Sequence, residues 1–246
     1  MTNLLEENLN GLRLHYISEN LDEFLAHCTK KSMNSREILE RVCELELLDK
    51  SRRSVSRRVA AAKIGQYRHI NEFDWDHPKQ IDRPAIEALF NLDFIDKNRN
   101  VVFAGAQGLG KTMIARNLAH HAASKGHTVF NTTAAQLVMD LGSAESTAAL
   151  MRKLRTYTRP RVLIIDEIGY LSFDHKSADL IFEIVNRRYE KCSIIMTTNL
   201  AFKDWGDVFP GAPCVTAMID RLTHHCDIVK ITGPSYRTKE SKEKKE

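Results

Sequence analysis

Gly105-Ala106-Gln107-Gly108-Leu109-Gly110-Lys111-Thr112 gathers glycines, an ammonium and a hydroxyl into one short run with the spacing G-x-x-x-x-G-K-[ST]. Backbone N–H groups in such a run can curl around a phosphate, because glycine permits the required backbone angles and a close approach. Lys111 can then reach the outer phosphates of a nucleotide, while the Thr112 hydroxyl can hold magnesium. A plain glycine turn is the other reading of the same residues. Against it, the run follows an apolar stretch, Val101 to Ala104, and opens a helical one, Lys111 to Lys125, with Met113 in its first turn. Phosphate binding at a helix N-terminus needs that context.

Val162-Leu163-Ile164-Ile165-Asp166-Glu167 reads as a buried strand ending in two carboxylates. Asp166 is placed to hold magnesium beside Thr112, and Glu167 to orient and polarise an attacking water. The pair therefore argues for hydrolysis of ATP. A small-molecule phosphotransferase, the competing enzyme class, would position an acceptor hydroxyl instead. Thr197-Thr198-Asn199 ends another apolar run, where Asn199 could help hold the water or simply cap the strand. Arg221 and Arg237 follow that run and could stabilise a transferring phosphoryl group. Arg187 and Arg188 end a helical stretch and suit its dipole.

The elements that must carry these residues alternate. Strands are expected at Val101 to Ala104, Thr128 to Asn131, Val162 to Asp166, Ser193 to Thr197 and Ile228 to Ile231. Helices are expected at Lys111 to Lys125, Ala134 to Leu141, Ser177 to Arg188 and Val215 to Thr223. Short apolar strands separated by helices imply an α/β fold with a parallel sheet covered on both faces. Residues 1–65 read instead as a small all-helical N-terminal domain. Leu5, Leu9, Leu12 and Tyr16 suggest one amphipathic helix, and Asn34 with Glu37 a capping box opening another. Gly65, Pro78 and Pro84 punctuate 66–84, which reads as a linker. A helix from Pro84 through Leu92 then opens an ATPase domain over 85–238, and the charged tail 239–246 is expected to be disordered.

Composition excludes little. The 246 residues carry a formal net charge of +4 and five cysteines. The cysteines are scattered without C-x-x-C spacing, so neither a zinc ribbon nor a disulfide framework is expected. Glu6 and Glu7 stand where a secretory signal would be basic, and no apolar run could span a bilayer, so a cytoplasmic protein without membrane attachment is expected. Basic residues cluster twice. Lys50, Arg52, Arg53, Arg57, Arg58, Lys63 and Arg68 form one group; Lys153, Arg155, Arg159 and Arg161 form the other. Either could meet DNA phosphates without sequence preference, or be a solvated face. His224-His225-Cys226-Asp227 invites a metal, but on a strand adjacent residues point to opposite faces.

The phosphate run, VLIIDEIGYL at Val162 to Leu171, IFEIVNRRY at Ile181 to Tyr189, TTNLAFKDW at Thr197 to Trp205, AMIDRLTHH at Ala217 to His225 and Ser235-Tyr236-Arg237 together resemble the IstB-type ATPases that assist insertion-sequence transposases. Those ATPases are relatives of the DnaC-type helicase loaders. The resemblance covers nearly the whole chain. It implies an AAA+ P-loop fold, ATP with magnesium, nucleotide-dependent homo-oligomers on duplex DNA, and a transposase as partner. A helicase loader is the alternative. Asn199 resembles the family's sensor 1, Arg221 falls at the position of an arginine finger acting on a neighbouring subunit, and Arg237 at sensor 2. Ala106-Gln107 departs from the Pro-Pro common in the family. Phe73 and Trp75 fall where the family packs a segment near adenine, although plugging the core would equally use them.

Overall fold

The computed structural model describes residues 4–170, 172–236 and 238. The chain divides into two compact units, Met1–Arg57 and Arg58–Glu246. The first is helical: α1 (Leu4–Gly11), α2 (His15–Glu19), α3 (Leu21–Lys30) and the long α4 (Ser35–Ala61), which continues past the unit boundary. Asn34 starts α4 as the sequence suggests. Its Oδ1 accepts from the Arg36 and Glu37 N–H groups, and Glu37 Oε2 accepts from the Asn34 N–H. The expected stripe from Leu5 to Tyr16 is broken. Arg13 takes a left-handed φ of 59° between α1 and α2, so only Leu9 and Tyr16 reach the small core of Ile17, Leu21, Phe24 and Cys28. Leu5 and Leu12 stay exposed.

The second unit adds α5 (Arg83–Leu89), α6 (Asp93–Asp96), β1 (Asn100–Ala104), α7 (Lys111–Ser124), β2 (Val129–Thr133), α8 (Ala134–Gly142), α9 (Thr147–Thr158), β3 (Val162–Ile168), α10 (His175–Arg188), β4 (Ser193–Thr198), α11 (Trp205–Val208), α12 (Cys214–Thr223) and β5 (Cys226–Lys230). All strand pairs are parallel, in the order β2-β3-β4-β1-β5. Side chains alternate between two cores, as strand periodicity demands. Val101, Phe103, Ile164 and Ile195 face α7 and α5; Val102, Leu163, Ile165 and Met196 face the layer of α8, α9, α10 and α12. The helix α9 was not foreseen. Ser146 caps it by accepting from the Ala149 N–H at 3.2 Å.

Residues 66–84, expected as a linker, are a packed part of this unit. The Ile70 N–H donates to Asn117 Oδ1 on α7 at 3.0 Å, and Asn117 Nδ2 donates to the Arg68 carbonyl at 2.9 Å. Gln80 and Thr232 form an antiparallel bridge. Ala62, Ile64 and Phe73 are buried in the core beside α7, which explains why the division falls near Arg58 rather than at residue 65. The expected helix from Pro84 begins one residue earlier, capped by Asp82, and stops at Leu89, because Leu92 adopts a left-handed φ of 65°. The tail 239–246 lies outside the described residues. Among the described residues no helix is long and apolar enough to cross a membrane.

Candidate functional site

The loop from Gly105 to Gly110 joins β1 to the start of α7 at the C-terminal edge of the sheet. Leu109, 2% exposed, anchors it in the core, while Ala106 and Gln107 stay exposed. A side chain at Gly105 would meet the Ile231 carbonyl oxygen at 2.1 Å. Gly110 has φ +81°, and a Cβ there would lie 2.3 Å from the Phe73 ring. Glycine is thus imposed at both ends of the loop by close neighbours as well as by backbone angle. Lys111, buried, donates its ammonium to the carbonyls of Gly105 and Ala106, both at 2.7 Å.

Asp166 is 1% exposed near the end of β3. Its Oδ1 accepts from Thr112 Oγ1 at 2.9 Å and from Thr197 Oγ1 on β4. Its Oδ2 is buried without a hydrogen-bond partner. That orphaned oxygen beside a threonine hydroxyl fits a divalent cation, which is bound by hard oxygen donors and keeps part of its water shell. Glu167 departs from regular strand geometry, with φ +67° at a register shift between β3 and β4. Its N–H donates to Thr197 Oγ1 at 2.9 Å, and its carboxylate is exposed into the cavity. One threonine thus ties both acidic residues to β4. The sequence offered Thr197 only as part of a polar strand end.

A cavity of about 590 Å³ runs over the loop. Gly108, Gly110, Lys111, Thr112, Met113 and Glu167 line it on one side; Tyr67, Arg68, Phe73, Asp74, His77 and Tyr236 close the other. Phe73 is buried in the core, as a plug would be, and its ring also lines the cavity. Trp75 packs on Phe73 with ring centroids 4.7 Å apart, under the Arg83 guanidinium. His77 Nε2 bonds the Pro234 carbonyl at 2.9 Å and meets Tyr236 edge-on. Burial raises the Tyr67 hydroxyl above its ordinary pKa. Sequence reading gave no role to Tyr67, His77 and Tyr236; the packing of 66–84 brings the first two to the cavity, and Tyr236 is tied to the loop directly, its N–H donating to the Gly108 carbonyl at 2.9 Å. Sequence reading also missed Arg116, one helical turn past Thr112, whose spacing alone places it on the same face of α7.

The remaining candidates divide. Asn199 follows Thr198, whose carbonyl accepts from the Gly105 N–H at 3.2 Å, so it stands beside the loop with a buried, unpartnered Oδ1. Arg221 is not among the cavity residues; its guanidinium lies over the Phe182 ring at 5.2 Å, and Nη1 donates to the Ala217 carbonyl. Arg237 lies outside the described residues. Arg187 pairs with Glu183, whereas Arg188 is buried and holds the carbonyls of Tyr157, Pro160, Arg161 and Ser193. Burial pushes its pKa down to about 10.

Of the basic candidates, Arg52, Arg57 and Arg155 are exposed. Arg53 pairs with Asp49, and Arg58 Nε donates to the Ala123 carbonyl. Lys153 is spent on Asp140 and Ser143, and Arg161 on the Lys191 and Ile95 carbonyls. The objection to a metal at His224 and His225 fails on geometry, because both precede β5 in the turn after α12. Their rings lie 4.1 Å apart, and with Glu190 they bring three ligand atoms within 4.8 Å. All three residues are exposed.

Comparison with known proteins gives this geometry a lineage. The family described as IstB-like ATP binding protein matches residues 7–244. The putative ATP-binding protein of insertion sequence IS21 from Pseudomonas aeruginosa is 36% identical over 238 residues, 97% of this chain and 90% of that protein. The putative ATP-binding protein of insertion sequence IS5376 from Geobacillus stearothermophilus is 34% identical over 242 residues, 98% of this chain and 96% of that one. Among solved structures, the DnaC helicase loader superposes with a TM-score of 0.52 at 18% identity, over 71% of this chain and 99% of that one, a likeness of fold. A parallel sheet with a glycine loop at its edge, two carboxylates tied by one threonine, and a family match along nearly the whole sequence converge: the chain belongs to the IstB-like ATP binding proteins and is an ATPase of the AAA+ fold.

Proposed function

We propose that this ATPase is the assembly factor of an insertion sequence, which oligomerises on duplex DNA when ATP is bound and recruits a transposase. The observation that carries the reading is the joining of Asp166 and Glu167 through Thr197, beside the phosphate loop. Thr112 and Asp166 would hold magnesium, which when bound draws charge from the transferring phosphoryl group. Lys111 would leave its loop carbonyls for the phosphates. Glu167 would take the proton of an attacking water, with Asn199 orienting that water. Arg221 lies outside its own cavity, which suits a finger for a neighbouring subunit, and Arg237 would report ATP within its own. Exposed Arg52 and Arg57 of the first unit, or exposed Arg155 of the second, would meet duplex phosphates without reading sequence.

The test is electron microscopy and ATP turnover with duplex DNA, magnesium and ATP, using wild type and Glu167→Gln. Wild type should assemble only with ATP, and turn it over faster on DNA. Glu167→Gln should lose about 10²-fold or more in turnover while keeping nucleotide binding and accumulating assemblies. Unchanged turnover in that variant removes the water-activating role. Capture of a replicative helicase, with no transposase retained, would move the assignment to a helicase loader, a reading that so far rests on fold alone.

A further inference from the structure

Arg116 has no part in that mechanism, yet its guanidinium is placed where the mechanism needs room. It stands four residues after Thr112 on α7 and lines the same cavity. Its Nη2 is 3.9 Å from Asp166 Oδ2, the oxygen without a hydrogen bond, and Asp166 is almost wholly buried there while Arg116 is about one-third exposed. Its Nη1 donates to the Gln66 carbonyl at 3.2 Å, at the opposite wall of the cavity. Its Nε is buried and unpartnered. Lys111 meanwhile gives its ammonium to the loop carbonyls, so the charge facing Oδ2 comes from the neighbouring turn of the helix.

We infer that Arg116 is the resident counter-ion of the magnesium seat, holding Asp166 Oδ2 when no divalent ion is present and competing with magnesium for it. The inference rests on the reading of this cavity as a magnesium–ATP site. A buried carboxylate is costly without a compensating charge, and the guanidinium supplies one at the edge of the cavity. A divalent ion entering beside Thr112 brings two positive charges to the same oxygen, so the guanidinium must yield or weaken its hold. The contact is long and charge-only, without a hydrogen bond, so it can be given up at small cost. Because the same guanidinium holds Gln66, its movement also loosens one tie of the wall that carries Tyr67, while Asn117 still holds Arg68. Arg116 is then a positioning residue that links the divalent-ion seat to the far side of the cavity.

The experiment uses the full chain. Thermal melts without nucleotide compare wild type, Arg116→Met, Arg116→Gln and Arg116→Lys, each also in an Asp166→Asn background, with and without magnesium chloride. Binding of a fluorescent ATP analogue is then followed against magnesium concentration. Arg116→Met should melt several degrees lower than wild type without magnesium, and magnesium alone should recover more of the loss than it adds to wild type. That loss should shrink once Asp166→Asn removes the charge. The magnesium concentration for half-maximal analogue binding should fall about tenfold in Arg116→Met, the order expected when one unit charge leaves the side of a divalent-ion seat that water still reaches. Arg116→Gln, which keeps a polar group for Gln66, should shift the same way if Arg116→Met folds poorly, and Arg116→Lys should stay near wild type. An unchanged magnesium midpoint in both neutral variants overturns the inference, as does an equal loss of melting temperature in the Asp166→Asn background. Wild type that binds the analogue without regard to magnesium would fail the underlying site reading instead, and the melts separate that failure because they need no nucleotide.

Discussion

The two units solve the same burial problem by different means. In the second, both faces of a parallel sheet are covered, and side chains such as Val101, Phe103, Ile164 and Ile195 are fully buried. In the first, Ile17, Leu21, Phe24 and Cys28 form the buried apolar core among the described residues, while Leu4, Leu12, Leu39, Leu47 and Leu48 remain exposed. Surface-to-volume scaling makes so small a unit marginal on its own. It leans instead on backbone satisfaction: the Asn34–Glu37 box opens α4, and buried Glu46 accepts from the Ile17 N–H at 2.9 Å.

The contrast breaks most visibly at Phe103. Replacing it with alanine should cost about 3–5 kcal/mol, read as a lower urea midpoint, and nucleotide binding should vanish with the fold. The same change at Phe24 should lower helicity and leave nucleotide affinity at the wild-type value; a parallel loss of affinity would show that the units are not energetically separate. Next in size is Glu46→Ala, which leaves the Ile17 N–H without its acceptor and should cost about 1–3 kcal/mol in the first unit alone. Smallest is Asp140→Asn in the second unit. Burial raises the Asp140 carboxyl, but the hydrogen bonds from Tyr157 and Lys153 outweigh it and hold its pKa below the ordinary value. Its stabilisation is therefore present above the unfolded pKa, about 3.9, and is lost as pH falls through the lower folded value. The Asp140 and Lys153 side chains are partly exposed, at 42% and 29%, so melts at neutral pH should differ by less than about 1 kcal/mol and converge in acid.

The second unit was also the more legible. Val101 to Ala104 and Val162 to Asp166 declare themselves because parallel strands buried on both faces are continuous apolar runs, and the phosphate loop is a local motif whose neighbours in sequence are its neighbours in space. What escaped depends on packing across the chain. The 66–84 stretch has the composition of a linker, and contacts made far along the chain, such as those of Asn117 on α7 and the bridge of Gln80 to Thr232, turn it into a cavity wall. The strand β5 begins at Cys226 rather than Ile228, because its edge position leaves Asp227 free to pair with Arg99. In the first unit the Leu5 to Tyr16 spacing was helical but not continuous, since a left-handed residue costs little in sequence signal and resets the helix phase. Glu46 gave no sign at all, being one glutamate among several on α4.

Glu167 carries one further consequence. Its left-handed backbone at φ +67° is disfavoured for a residue with a Cβ, and glycine would relieve about 1 kcal/mol of that strain. The change most able to stabilise this strand is therefore one that deletes the carboxylate facing the cavity. Selection for heat resistance alone, with no demand for turnover, would be drawn to this position and, on the role proposed for Glu167, would return a sturdier protein that binds ATP without hydrolysing it.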